Sequence, residues 1–340
     1  MIGSPGTDIR TITSNLGFGP YSFVRDRISV ADLFRPGDRC GLYALHFANG
    51  DGYVGKTIDV VRRFAGHRQN HDDIVEIAFR LVPAQDQDRE ERAAITRCEA
   101  AGVRLRNIQF MSIVLGDADL DTVVSQETQA EWLRSLHRTT TFKERPDDLA
   151  LRRRYETRFA QLKNRRQWPL LQPVLQEYAA TCLPAPDRTE LSFWSITCLA
   201  ARSFEGQRLL ARLNIFWQEV MTVGLDTAMG KLWYTFHVRQ SVLQRAGFRV
   251  PVFARLHEHR YDPGGQDQVQ VIANDDHAGD TLRLLADPAF VAAAKDFNLN
   301  LMRKGANNFA RFHCFALADH MLRPQYSPLI PAYASRLNRQ

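Results

Sequence analysis

The stretch Asn49-Gly50-Asp51-Gly52 constrains this chain more than any other, because it sets two strong turn dipeptides between two short apolar runs. Upstream of it, Tyr43, Leu45 and Phe47 alternate with Leu42, Ala44 and His46; downstream, the run Tyr53 to Thr57 follows at once. The pattern specifies a β-hairpin with Tyr43 on one arm and Tyr53 on the other. Asp59 reads as a helix N-cap, after which Val60 and Phe64 share one face while Arg63 and His67, four apart, share another. Val75, Ile77, Phe79 and Leu81 alternate with Glu76 and Arg80 as a third strand. A helix from about Asp86 to Ala101, closed by Gly102, carries the stripe Ala94, Ile95, Cys98 and Ala101. Glu91, one turn before Ala94 and Ile95, projects from that inward stripe, and Glu90 lies at its edge. A short extended run then leads to Asn107, a strand is expected over Ile108 to Val114, and Asp117 to Asp121 closes the unit.

Phosphodiester hydrolysis needs a group to activate water, a cation to neutralise phosphate and a carboxylate to hold a metal, and this segment offers candidates for each. Its ordered set, Gly41-Leu42-Tyr43, Tyr53-Val54-Gly55-Lys56, Arg63, His67, Glu91 with Ile95 four later, and Asn107, resembles the GIY-YIG nuclease family over roughly Cys40 to Val114. Leu42 and Val54 stand where that pattern has Ile, which preserves an apolar strand position. The resemblance implies a small α+β domain, a three-stranded antiparallel sheet with flanking helices, that cuts DNA. It implies Glu91 as the ligand of one divalent ion, Mg²⁺ or Mn²⁺, with waters and phosphate oxygens completing its shell. Arg63 is expected to stabilise phosphoryl charge, Lys56 to favour the phenolate of a nearby tyrosine, and Tyr43 or Tyr53, aided by His67, to take a proton from water, with Tyr43 preferred. Asn107 is expected to support the site by hydrogen bonding. Replacing Glu91 by Ala is expected to abolish cleavage and leave folding intact.

The chain's 340 residues leave room for a second domain and a sizeable core. No segment approaches the ~18 consecutive apolar residues of a membrane span, and no charged patch and apolar run mark a signal peptide, so a cytoplasmic location is the simplest expectation. Five cysteines, Cys40, Cys98, Cys182, Cys198 and Cys314, are scattered singly, which fits reduced, buried thiols and offers no zinc motif.

Residues 1–36 form a leader whose glycines and prolines discourage regular structure, apart from a short helix over Val30 to Phe34. The nuclease-like domain spans 37–121, a basic helical linker 122–167, and a second α+β domain 168–340. Helices are expected over Glu127 to Arg138 and Leu149 to Arg166. Between Glu131 and Arg166 eleven basic residues face five acidic ones, an excess equal to the formal +6 of the whole chain. Arg152, Arg153, Arg154, Arg158, Lys163, Arg165 and Arg166 are accordingly candidates for phosphate contact, since neutralising phosphates releases counterions. Strands are expected at Leu191 to Cys198, Leu213 to Val223, Leu232 to Val238, Arg249 to Leu256 and Val269 to Ile272. Helices are expected around Gly279 to Ala286, Pro288 to Lys304 and Asn308 to Leu322. Trp194, Trp217 and Trp233-Tyr234 read as core of that second sheet, with a path for single-stranded DNA as the alternative. His257-Glu258-His259 lacks the further spaced ligands that a metal site requires. DNA is the expected partner, with a protein partner through the second domain as a further expectation. The competing expectations are a non-catalytic binding module on the nuclease fold and a subunit of a defence or restriction assembly.

Overall fold

A computed structural model describes residues 8–107, 118–135, 145, 152–275, 277 and 279–322. The fold is α+β, built on two antiparallel sheets, and divides into units spanning 1–116 and 117–340.

In the first unit, helix α1 (Ile9–Asn15) starts where the Asp8 side chain accepts from Arg10 N, so the leader is not irregular throughout. It is followed by the two-residue strand β1 (Ser22–Phe23) and a 3₁₀ turn at Ala31–Leu33 in place of the expected short helix. Ile9, Phe18, Val24 and Val30 are buried, which makes the leader part of this unit. The glycine and proline clusters only bracket its helix. The hairpin forms as β2 (Gly41–Phe47) and β3 (Gly52–Thr57), then come α2 (Val60–Asn70), β4 (Ile74–Leu81) and α3 (Gln87–Ala100). Asp59 caps α2 by accepting from Val61 N and Arg62 N. The sheet has four strands, not three, in the order β1-β4-β2-β3, because β1 pairs with the edge of β4. That order leaves β3 on the other edge.

Alternation along the hairpin splits the apolar residues into two cores. Tyr43, Leu45 and Phe47 pack with Val60 and Phe64 of α2 on one face of the sheet. Leu42, Ala44 and Val54 pack with Ala94, Ile95 and Cys98 of α3 on the other. The strand expected over Ile108 to Val114 lies outside the described residues.

The second unit begins with a 3₁₀ turn at Asp119–Thr122, α4 (Gln126–Arg134), α5 (Glu156–Lys163), α6 (Trp168–Cys182) and the one-turn α7 (Pro186–Thr189). The expected helix over Leu149 to Arg166 is broken at Tyr155, whose left-handed φ of 66° separates the helical Arg152-Arg153 from α5; residues 149–151 lie outside the described residues. Val124, Phe159 and Leu162 are buried in the second core, so the described part of the basic segment belongs to this unit and is not a free linker. The sheet then follows as β5 (Trp194–Phe204), β6 (Gln207–Ile215), β7 (Gln218–Asp226) and β8 (Leu232–Val238), helix α8 (Gln240–Arg245), β9 (Ala254–His257) and β10 (Val269–Asn274). Its order is β5-β6-β7-β8-β10-β9. The run Leu213 to Val223, expected as one strand, is a hairpin turning at Phe216-Trp217, with Phe216 at φ 54°. No glycine marks that turn, which is why alternation alone reads through it. Helices α9 (Asp280–Ala286), α10 (Pro288–Arg303) and α11 (Phe315–Leu322) follow, the last preceded by a separate 3₁₀ turn at Ala310–Phe312. Trp194 and Tyr234 are fully buried in this core, whereas Trp217 is 58% exposed. Among the described residues, no helix is long and apolar enough to cross a membrane.

Candidate active site

The register of the hairpin sets Tyr43 opposite Gly55 and Leu45 opposite Tyr53, so the two tyrosines are diagonal neighbours on one face. Their rings stack with centroids 5.9 Å apart across Gly55. A Cβ on Gly55 would lie 2.5 Å from Tyr43 Oη and 2.7 Å from Tyr53 Cε1, so this position must be glycine for the rings to meet. Gly41 is constrained in the same way, since a Cβ there would lie 2.1 Å from the Arg80 carbonyl oxygen on β4.

Helix α2 brings Arg63 and His67 onto the tyrosine face. Arg63 Nε donates to Tyr43 Oη at 3.1 Å, and Tyr43 Oη lies 2.7 Å from His67 Nε2. A guanidinium only donates, so the phenol oxygen accepts from Arg63 and its own hydrogen is left for His67. Burial, the Arg63 cation and His71 push His67 down to about 4, so its imidazole is neutral near pH 7 and Nε2 is an acceptor. Burial and the neighbouring Tyr53 raise the Tyr43 phenol well above its ordinary value, against the opposing pull of Arg63. Tyr53 is half-buried and its ring meets His67 edge-on at 4.7 Å.

Lys56 does not serve the tyrosines as expected. It alternates onto the α3 face, where its ammonium pairs with Asp88 and stands 3.6 Å from Glu91 Oε2. The cation against the phenol is Arg63. Asp88, overlooked in the sequence, lies three residues before Glu91 and so on the same side of α3.

Glu91 is 5% exposed, while Glu90 is turned to Arg80 at 2.8 Å and to Arg89. Glu91 Oε1 accepts from Lys56 N at 3.1 Å, and Oε2 is buried with no hydrogen-bond partner. Burial raises its pKa, against the opposing effect of Lys56. Asn107 is also buried; its Oδ1 accepts from Val54 N at 2.9 Å and its amide donates to Val54 O. Upstream, Gly52 N donates to Arg104 O and Gly52 O accepts from Arg106 N, each at 2.7 Å. Thus the outward groups of edge strand β3 are satisfied in turn by the backbone of residues 104–106, by Asn107 and by Glu91.

Two clusters therefore lie on opposite faces of β3. Tyr43, Tyr53, Arg63 and His67 occupy one, Lys56, Asp88 and Glu91 the other, and the consecutive residues Gly55 and Lys56 join them. Among the described residues no group of three or more His, Cys, Asp or Glu side chains is arranged to hold a metal. The Oε2 of Glu91, which makes no hydrogen bond among the described residues and has the Lys56 ammonium 3.6 Å away, fits a hard divalent cation that takes one protein carboxylate and otherwise waters.

The basic residues of the second unit divide into two groups. Arg152 pairs with Asp319 at 3.1 Å, and Arg165 Nη2 donates to Ala200 O at 3.0 Å; both are half-buried and serve the fold. Arg153, Arg154, Arg158, Lys163 and Arg166 are exposed. Arg145 makes a two-pronged contact with the fully buried Glu190 at 2.7 and 2.6 Å, so it too is internal. No protein-family model, curated protein or solved structure matches this chain.

Proposed function

We propose that the chain is a metal-dependent endonuclease of the GIY-YIG type that hydrolyses DNA phosphodiester bonds. The observation that carries this reading is the chain of hydrogen bonds from Arg63 through Tyr43 to His67 on one face of β3, with the spare oxygen of Glu91 on the other. Water gives a proton to Tyr43 Oη as Tyr43 passes its own to His67 Nε2, so no free phenolate is needed despite the raised phenol pKa. The hydroxide attacks phosphorus, the opposite P–O bond breaks, and the electron pair leaves on the sugar oxygen. Arg63, which is exposed, turns its guanidinium to the phosphoryl oxygens as charge gathers there. Glu91 would hold Mg²⁺ or Mn²⁺, which would supply Lewis-acid stabilisation of the phosphate and the leaving oxygen. Asn107 pairs with both backbone groups of Val54 and so acts on the site through the strand.

A second reading, a non-catalytic DNA- or protein-binding module on the same fold, is favoured by one feature: Lys56 stands at the oxygen that a metal would take. Incubation of the protein with labelled single-stranded, double-stranded and branched DNA, with Mg²⁺, Mn²⁺ or EDTA, separates the two. Metal-dependent cutting supports the nuclease. Binding without cutting in every combination supports the module, and cutting that appears only with host extract points to a partner-dependent assembly.

A further inference from the structure

The aromatic residues of the second unit split sharply between core and surface. Trp194 and Tyr234 are buried, but Trp217 stands 58% exposed at the tip of the β6–β7 hairpin. That tip is fixed, because Asn308 N donates to Phe216 O at 3.0 Å. The Trp217 ring lies 6.3 Å from that of Phe309, and the 3₁₀ turn that follows ends in Phe312, which is 37% exposed. A lone exposed aromatic needs no explanation, but Trp217 against Phe309 on a pinned turn, with the exposed Phe312 three residues on, differs from scatter.

The same turn gathers cations. Arg311 lies over the Phe312 ring at 4.7 Å, and its carbonyl accepts from Arg154 Nη1 at 3.3 Å and from Tyr155 Oη at 3.1 Å. Arg158 in turn lies over the Tyr155 ring at 5.2 Å. Among the described residues no carboxylate pairs with Arg154, Arg158 or Arg311, in contrast to Arg152, whose charge Asp319 takes up. The left-handed backbone of Tyr155 turns the chain between Arg154 and Arg158.

We infer that Trp217, Phe312 and the guanidinium groups of Arg154, Arg158 and Arg311 form a binding surface for single-stranded DNA. Stacking requires unpaired bases, since a duplex keeps its π-faces inside, whereas the arginines meet phosphates on either form. The assignment to DNA rests on the nuclease reading above; the stacking geometry does not.

The test is fluorescence polarisation of the full chain in EDTA with a labelled oligothymidylate, a duplex of equal length and an oligouridylate. The single strand is expected to bind more tightly than the duplex. Trp217→Ala and Phe312→Ala each weaken single-strand binding on the order of tenfold and leave duplex binding within about twofold. Arg158→Ala weakens both and lowers the salt slope by about one. Both aromatic positions are exposed, and thermal unfolding verifies that the variants are folded. Unchanged single-strand affinity in both aromatic variants, or an equal loss on duplex, overturns the inference, and tighter binding of oligouridylate overturns its assignment to DNA. Trp217-dependent binding without cutting in either Mg²⁺ or Mn²⁺ rejects the nuclease reading alone; cutting without Trp217-dependent binding rejects this surface alone.

Discussion

Glu91 and Lys56 meet twice: the Lys56 amide donates to Glu91 Oε1 at 3.1 Å, and the Lys56 ammonium stands 3.6 Å from Oε2. One carboxylate thus completes the edge of β3 and presents an oxygen without a hydrogen bond. Glu91→Ala consequently removes more than the proposed metal ligand. It leaves the Lys56 amide unpaired, so the variant is expected to fold with a loss of about 1 kcal/mol. Glu91→Gln retains an oxygen for that amide, so its melting temperature is expected to stay nearer the native value than that of Glu91→Ala.

Tyr43→Phe removes the hydroxyl shared by Arg63 and His67 and keeps the ring in the core. Cleavage is expected to fall by ~10²-fold or more, the scale of general base catalysis, with DNA binding retained. Tyr53→Phe, at the half-buried ring beside His67, is expected to cost less. Single-turnover rates of the two variants decide between the tyrosines, and a larger loss in Tyr53→Phe would reverse their assignment.

Gly55→Ala drives a methyl into both tyrosine rings. A clash of that kind in a packed site costs about 1–3 kcal/mol and separates the rings, so the variant is expected to unfold at lower denaturant and to cut poorly. Near-UV circular dichroism of the tyrosine band checks whether the stack is lost.

Acid should silence the site before it unfolds the protein. Burial raises the Glu91 pKa above the ordinary 4.5, so its carboxylate is lost early as pH falls, and His67 ceases to accept protons below about 4. The kcat/KM profile is therefore expected to fall on the acid side, beginning above pH 4.5. The depressed His67 also lowers stability as pH drops from 6.5 towards 4, because the unfolded chain takes up that proton first.

In the second unit, burial pushes Glu190 up, and Arg145 and His313 together overcome it and hold the carboxyl below 4.5. The stability this contributes is fully present above pH 4.5 and is lost as pH falls through the lower folded value. Arg145→Met leaves the buried charge short of its principal partner and is expected to cost about 3–5 kcal/mol. Calorimetry across pH would show both effects.

The local chemistry of the first unit was legible in the sequence where side-chain period and turn residues act over short distances. The hairpin around Asn49-Gly50, the Asp59 cap and the inward turn of Glu91 all follow from spacing of that kind. Long-range pairing was not legible. Nothing local to Ser22-Phe23 announces that it will extend the sheet on β4; alternation does turn Lys56 away from Tyr53, but nothing local says that α3 will cover the face it turns to. In the second unit the turn at Phe216-Trp217 lacks turn residues and is held from outside by Asn308. The basic run conceals its division in the same way, since partners distant in sequence, Asp319, Glu190 and the Ala200 carbonyl, show which arginines are internal.

The measurement that tests the account most directly is the single-turnover rate of DNA cleavage by the native chain and by Glu91→Gln over a range of Mn²⁺ concentrations, with both proteins shown to be folded. The account predicts metal-dependent cutting by the native protein and loss of that cutting in Glu91→Gln while DNA binding persists. Equal metal-dependent rates in the two proteins would contradict it.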